Sequence, residues 1–207
     1  MGDEKLVLNV LSIDMDWIMA PSIEAYNHLV YTNKGISLDD VLNTYMPGIS
    51  VEADMEKFYQ IIRLILTAAD GIERKNKGYS NRHDDIIGFL DLKEMQKINL
   101  FNIDHHHDLG YDSLAPGDKY YHLNCGNWVN NLANKGIIET YGWVNNETSI
   151  LPDQDHLKNI PNYFISKDIN VLSHTTFDKI FISGSPEWLP KKYHFLTKTA
   201  NSVLDAY

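Results

Sequence analysis

The chain is short of several things, and each absence removes a class of explanation. It has a single cysteine, Cys125, in 207 residues, so no internal disulfide framework holds it together, and a lone thiol fits a reducing compartment. It contains no apolar run of eighteen residues, the length a simple membrane-spanning helix needs. Positive charge is scarce: 18 Lys and Arg stand against 28 Asp and Glu, for a net charge of −10, so the basic surface that nucleic acid requires is missing. Repeats, low-complexity tracts and Pro/Gly/Ser-rich linkers are also absent, and the length suits one domain with one substantial core. The first residues, MGDEKLVLNV, carry acidic groups where a secretory leader has basic ones. The expectation is a soluble cytoplasmic protein that partners neither membrane nor nucleic acid.

What is present has a regular order. KLVLNVLSID (5–14) and KINLFNID (97–104) are short apolar runs bounded by polar residues, as buried parallel strands are, and both end in aspartate. GIIETYGWV (136–144) and FDKIFISGS (177–185) read as two more strands. Between them, DMEKFYQIIRLILTAADG (54–71) repeats its apolar residues at three- and four-residue spacing and stops at Gly71. CGNWVNNLANKG (125–136) is a shorter helix closed by Gly136, with Asn127 as its cap, and LPKKYHFLTKTANSVLDAY (189–207) can form a last one. Strands alternating with helices predict an α/β fold with a mostly parallel sheet covered on both faces and a site at the carboxyl ends of its strands. Segments 20–52 and 145–176 show no clear period and read as long loops or short helices.

The two aspartate-ending strands carry the chemistry. In NIDHHHDLGY (102–111), alternation at a strand end lets Asp104, His106 and Asp108 converge while His105 and His107 face elsewhere. Two carboxylates flanking an imidazole suit Mn²⁺, Fe²⁺ or Zn²⁺ better than a thiolate-selected structural zinc. A solvated polar loop is the plain alternative. In LSIDMDWIMAPS (11–22), Asp14 and Asp16 again stand at alternate positions, a pattern that alone is more often a turn or helix cap. A parallel sheet would bring both acidic ends together, where uncompensated carboxylates repel, and a dinuclear cation centre resolves that conflict.

These residues resemble a known family. SIDMDWIMAPS is similar to the Ser-Phe-Asp-x-Asp-x-x-x-Pro-Ser signature of arginases and agmatinases, and IDHHHDLG to their Asp-Ala-His-x-Asp signature. The closer resemblance is to the peptide arginases, whose successive segments match IDMDW, DHHHDLG, CGNW and SGSPEW in the same order over most of this chain. Two features depart from arginases of full length: the Asp-x-Asp strand comes first here, so strand order cannot be transferred, and the chain is much shorter. The resemblance therefore implies a compact version of the three-layer arginase/deacetylase-like fold. It further implies two Mn²⁺ ions per chain, with Asp14 and Asp104 bridging, Asp16, His106 and Asp108 completing the set, and His83 of SNRHDDIIGFL as the remaining ligand, its alternative being an exposed histidine at a helix start.

The implied activity is hydrolysis of an arginine guanidinium group to ornithine and urea, on an arginine-containing peptide or a small guanidino compound, with Asp108 passing a proton to the leaving amine. Glu187 of FISGSPEWLP would grip the guanidinium, because a carboxylate accepts two parallel N–H bonds from that planar cation; its alternative is a surface turn. His107 is a candidate proton shuttle and His122 a rival; Cys125 reads as structural, and Trp17 and Trp188 as core aromatics or cation–π walls. Two other functions stand beside this one: a single-zinc deacetylase-like amidohydrolase, and a non-catalytic protein whose metal only organises the fold. A homo-oligomer is compatible with all three.

Overall fold

The computed structural model describes residues 7–19, 37–93, 96–110 and 126–207. Its centre is a six-stranded sheet, parallel throughout, formed by β1 (Val7–Asp14), β2 (Lys77–Ser80), β3 (Lys97–Ile103), β4 (Ile138–Val144), β5 (Asn162–Ser166) and β6 (Lys179–Ser183). The strand order is β2-β6-β1-β3-β4-β5. The helices are α1 (Leu38–Tyr45), α2 (Met55–Ala68), α3 (Ile86–Leu90), α4 (Trp128–Asn134), α5 (Gln154–Leu157) and α6 (His194–Ala206). Among the described residues, no helix is long and apolar enough to cross a membrane.

Strand alternation sorts the core into two layers. Leu11 and Ile13 of β1, with Ile180 and Ile182 of β6, pack against Phe58, Ile61 and Ile65 of α2 and Leu196, Ala200 and Leu204 of α6. Val10, Leu100 and Phe181 point to the other face, against Ile86 and Leu90 of α3 and Trp128, Val129 and Leu132 of α4. The result is a three-layer α/β fold. Its sheet is all parallel, where the sequence promised only mostly parallel.

Local signals explain most element ends. Asp54 caps α2 by accepting from the amides of Glu56 and Lys57, and Gly71 follows the helix in a left-handed conformation (φ +75°) that a side chain would oppose. Gly136 (φ +67°) does the same after α4. Two strands lie outside the sequence expectation. Edge strand β5 leaves Tyr163 and Ile165 partly open, so it never shows the apolar run of a buried strand. The other edge strand, β2, is only four residues long. Segment 145–176, read as loop or short helix, holds α5, β5 and a short turn of helix at Ile169–Leu172.

Position matters more than content here. β1 lies between β3 and β6; after it the chain forms edge strand β2 on the β6 side and then returns to form β3 on the other side of β1. A parallel sheet opens a crevice at such a switch point, outside the carboxyl ends of the strands. The residues following β1, β2, β3 and β6 all meet there.

Candidate metal centre

Asp14 is the last residue of β1, and its Oδ1 accepts the backbone N–H of Asp16 at 3.1 Å. It is thus the cap of the short turn Met15–Ile18 and still a member of the cluster, the two roles that the sequence had offered as alternatives. Asp104 and His106 follow β3 directly; the His106 amide donates to Asp104 Oδ1 at 2.8 Å, and the His105 amide donates to Asp16 Oδ1 at 3.2 Å. Asp108 arrives differently from the expected strand alternation. β3 has ended at Ile103, and Asp108 adopts a left-handed backbone (φ 52°) that turns its carboxylate toward His83. His83 sits in the turn after β2 and is buried, so the surface alternative for it is excluded.

The donors form two groups that share one carboxylate. In the first, Asp14, His83 and Asp104 converge; in the second, Asp16, Asp104 and His106 converge, and all five residues are buried. His83 Nδ1 lies 3.2 Å from Asp14 Oδ2, 3.1 Å from Asp104 Oδ2 and 3.1 Å from Asp108 Oδ2. One N–H cannot be aimed at three oxygens, and Nδ1 makes no properly directed hydrogen bond among the described residues. Donors spaced this way do surround a small divalent cation, since two bonds of about 2.1 Å at a right angle put their donor atoms about 3 Å apart. On the other side, His106 Nδ1 lies 2.9 Å from Asp16 Oδ2 and 3.7 Å from Asp104 Oδ1. Asp104 therefore gives Oδ2 to one group and Oδ1 to the other. Asp14, implied as a second bridge, stands in the first group and not in the second, and its other oxygen accepts the Asp16 amide. Asp108 reaches His83 but belongs to neither convergent triad.

The electrostatics show what the cluster costs without a cation. Burial, reinforced by the charge of Asp14, pushes Asp16 up to about 8, and burial beside Asp104 raises Asp108 well above the carboxylate range. Asp104 is lowered despite its burial, because His106 and His83 both face it. Burial works against a charge on His83, yet Asp104, Asp108 and Asp14 together hold it well above an ordinary histidine. The metal-free chain thus favours protons on Asp16 and Asp108 and a charged His83 beside Asp104, and the donor set, mixed oxygen and nitrogen without thiolate, fits a hard or borderline divalent ion in place of those protons.

A ring of supporting residues was not singled out in the sequence. Ser12 Oγ meets His83 Nε2 at 2.6 Å, which leaves Nδ1 to the carboxylates. Ser185, after β6 and left-handed (φ 36°), donates to Asp14 Oδ2 at 2.5 Å. Asn102 Nδ2 donates to Asp104 Oδ2 at 3.2 Å, and the Trp143 indole to the Asp104 carbonyl at 3.0 Å. Asn146 holds the far end of the Asp16 turn through the carbonyls of Trp17 (2.7 Å) and Met19 (2.5 Å). Ser12 and Ser185 do lie inside SID and SGSPE, so proximity to the acidic motifs was a usable signal; Asn146, which follows β4, had none.

The remaining candidates separate. Glu187, in the turn after β6, is partly buried, and burial together with the nearby Asp14 charge raises its pKa. His107 turns away from the carboxylates: its Nδ1 accepts the Leu109 amide at 3.1 Å, and its ring packs against Trp143 and His156. Burial pushes both His105 and His107 down to about 3. His107 belongs to neither convergent group. Trp17 is a core aromatic with Lys57 Nζ 5.0 Å from its ring. Trp188 packs its ring on His106, centroids 4.3 Å apart. The first amides of α4 go to the Asp108 carbonyl and not to the Asn127 side chain. His122 and Cys125 lie outside the described residues.

Comparison of the chain with protein-family models, with curated proteins and with solved structures found no match.

Proposed function

We propose that the chain is a metal-dependent, arginase-like hydrolase that converts arginine, held within a peptide, to ornithine with release of urea. The observation that carries the reading is Asp104, whose two carboxylate oxygens enter two separate groups of buried Asp and His donors. Such a donor set suits two Mn²⁺ ions, one held by Asp14, His83 and Asp104 and the other by Asp16, Asp104 and His106. A divalent pair supplies an acidified water and neutralises charge developing at the reacting carbon.

The chain's own residues do the rest. Glu187 lies at the same sheet end, within reach of the Asp14 charge, and orients the guanidinium through paired N–H bonds. Its raised pKa suits that role, since a guanidinium beside it restores the ionised form. Asp108, close to His83, would take the proton released by the attacking water and pass it to the departing amine. The order of the four segments IDMDW, DHHHDLG, CGNW and SGSPEW supports guanidinium as the substrate class.

Mass spectrometry tests the reading. Mn²⁺-loaded protein is incubated with free arginine, agmatine and an arginine-rich peptide pool, and loss of the cyanamide unit is sought. The expected outcome is loss from peptide arginine. A chain that retains two ions and modifies none of the three substrates would overturn it, and retention of one zinc per chain would favour a deacetylase-type amidohydrolase.

A further inference from the structure

The indole of Trp128 touches the centre twice. Its Nε1–H donates to Asp108 Oδ2 at 2.5 Å, the same oxygen that lies 3.1 Å from His83 Nδ1. Its ring lies against the His83 ring, with centroids 4.9 Å apart and planes at 54°. Trp128 is fully buried and opens α4, and the amides of the next two residues, Val129 (3.1 Å) and Asn130 (3.4 Å), donate to the carbonyl of Asp108. Helix α4 therefore grips Asp108 by its backbone and its side chain together. The grip bears on a residue in a left-handed backbone conformation (φ 52°), uncommon for any residue with a side chain.

From these contacts we infer that Trp128 is a positioning residue for the His83 half of the centre. Its N–H fixes which oxygen Asp108 shows to His83, and its ring closes one side of the imidazole. The inference rests on the two-ion reading above. It assigns a role in the site to the CGNW segment, and it makes a one-sided prediction: loss of the N–H weakens one ion and leaves the ion between Asp16, Asp104 and His106 in place. Asp108 is not in the His83 triad itself but meets its histidine through Oδ2, and disturbing such an outer partner of a ligand typically weakens metal binding about 10–100-fold.

Trp128→Phe keeps a ring against His83 and removes the donor. Mn²⁺ retained after desalting is counted by elemental analysis, and affinities are measured by calorimetry, with folding checked by circular dichroism. The expected result is two ions in the unaltered chain, one tight ion in Trp128→Phe, and two in the control Leu132→Val, a core substitution later in the same helix. Two ions of unchanged affinity in Trp128→Phe would overturn the role. So would equal weakening of both ions, which is the mark of general loosening. Fewer than two ions in the unaltered chain would bring down the two-ion reading and this assignment with it.

Should Trp128→Phe not fold, the unaltered chain still decides. Nitrogen-15 spectra are recorded during titration with Mg²⁺ or Zn²⁺, with the Trp128 indole identified by elimination from Trp17→Phe, Trp143→Phe and Trp188→Phe. A shift of that N–H as the ions load is expected, and its constancy would refute the role.

Discussion

The two halves of the centre are built from the same residue types but supported in different ways. The His83 half draws on residues at or after the ends of β1, β2 and β3, and side chains hold its members and their neighbour Asp108: Ser12 on His83, Ser185 on Asp14, Asn102 on Asp104 and Trp128 on Asp108. The His106 half draws only on the segments after β1 and β3. There, backbone amides hold the carboxylates, His105 N–H on Asp16 and His106 N–H on Asp104. Side-chain supports can be removed one at a time, and those from Ser12, Ser185 and Trp128 come from distant parts of the chain, whereas amide supports cannot be deleted by changing a side chain. The first half thus depends on side chains from several elements, and the second on the backbone of the segment after β3, which also reaches across to Asp16.

The largest effect should come from the residue that both halves share. Asp104→Asn removes the charge placed between the two groups, so both ions and all turnover should be lost together, whereas Asp14→Asn should cost the His83-side ion and Asp16→Asn the other. Elemental analysis of the three variants decides this, and full occupancy in Asp104→Asn would dismantle the bridged arrangement. Next in size is Glu187→Gln, which lies in neither half. It should keep both ions and lose turnover on the order of 100-fold, through misplacement of the substrate. Metal loss in that variant would put Glu187 inside the centre.

Supports should separate the halves more gently. Ser12→Ala should weaken one ion roughly 10-fold by freeing the His83 ring, while Asn146→Ala, which releases the Trp17 and Met19 carbonyls, should lower stability by about 1–3 kcal/mol and loosen the Asp16 side. Calorimetric titration would show whether the two variants affect different ions, and identical profiles would contradict the division.

The smallest expected effect is a slope with pH. Between pH 7 and 8, His105 and His107, both near 3 when folded, are neutral in the folded chain and largely so in the unfolded one, where the ordinary value is 6.5. Asp16, near 8 when folded and 3.8 when free, and His83, raised above 6.5, keep protons that the unfolded chain has lost. Because the folded chain binds more protons, its metal-free stability should fall as pH rises through this window. A cation replaces those protons, so the stabilisation by Mn²⁺ should grow over the same range. Melting curves in chelator and in Mn²⁺ test both signs, and a metal-free chain that gains stability toward pH 8 would count against the proton-filled cluster.

The legible part of the site was the part encoded in short runs. Asp14, Asp16, Asp104 and His106 stand at or just beyond the ends of apolar strands, where burial and alternation can be counted along the chain. His83 was harder, because β2 is short and lies at the sheet edge; only the resemblance to a family singled it out. His107 shows the limit of proximity in sequence. It lies between two residues that face His83 or Asp16, yet its ring packs against Trp143 and His156.

By itself, the sequence determined the four inner strands with the helices between them, a mostly parallel sheet and the acidic strand ends, because each follows from local periodicity and from the cost of leaving apolar surface in water. Only the tertiary structure decided that Asp104 divides its two oxygens, that Asp14 is confined to one group, and that Trp128 meets both Asp108 and His83. Those outcomes depend on a strand order of β2-β6-β1-β3-β4-β5, which brings together residues far apart in the chain. No local pattern records that order, since it is set by how the two faces of one sheet are covered.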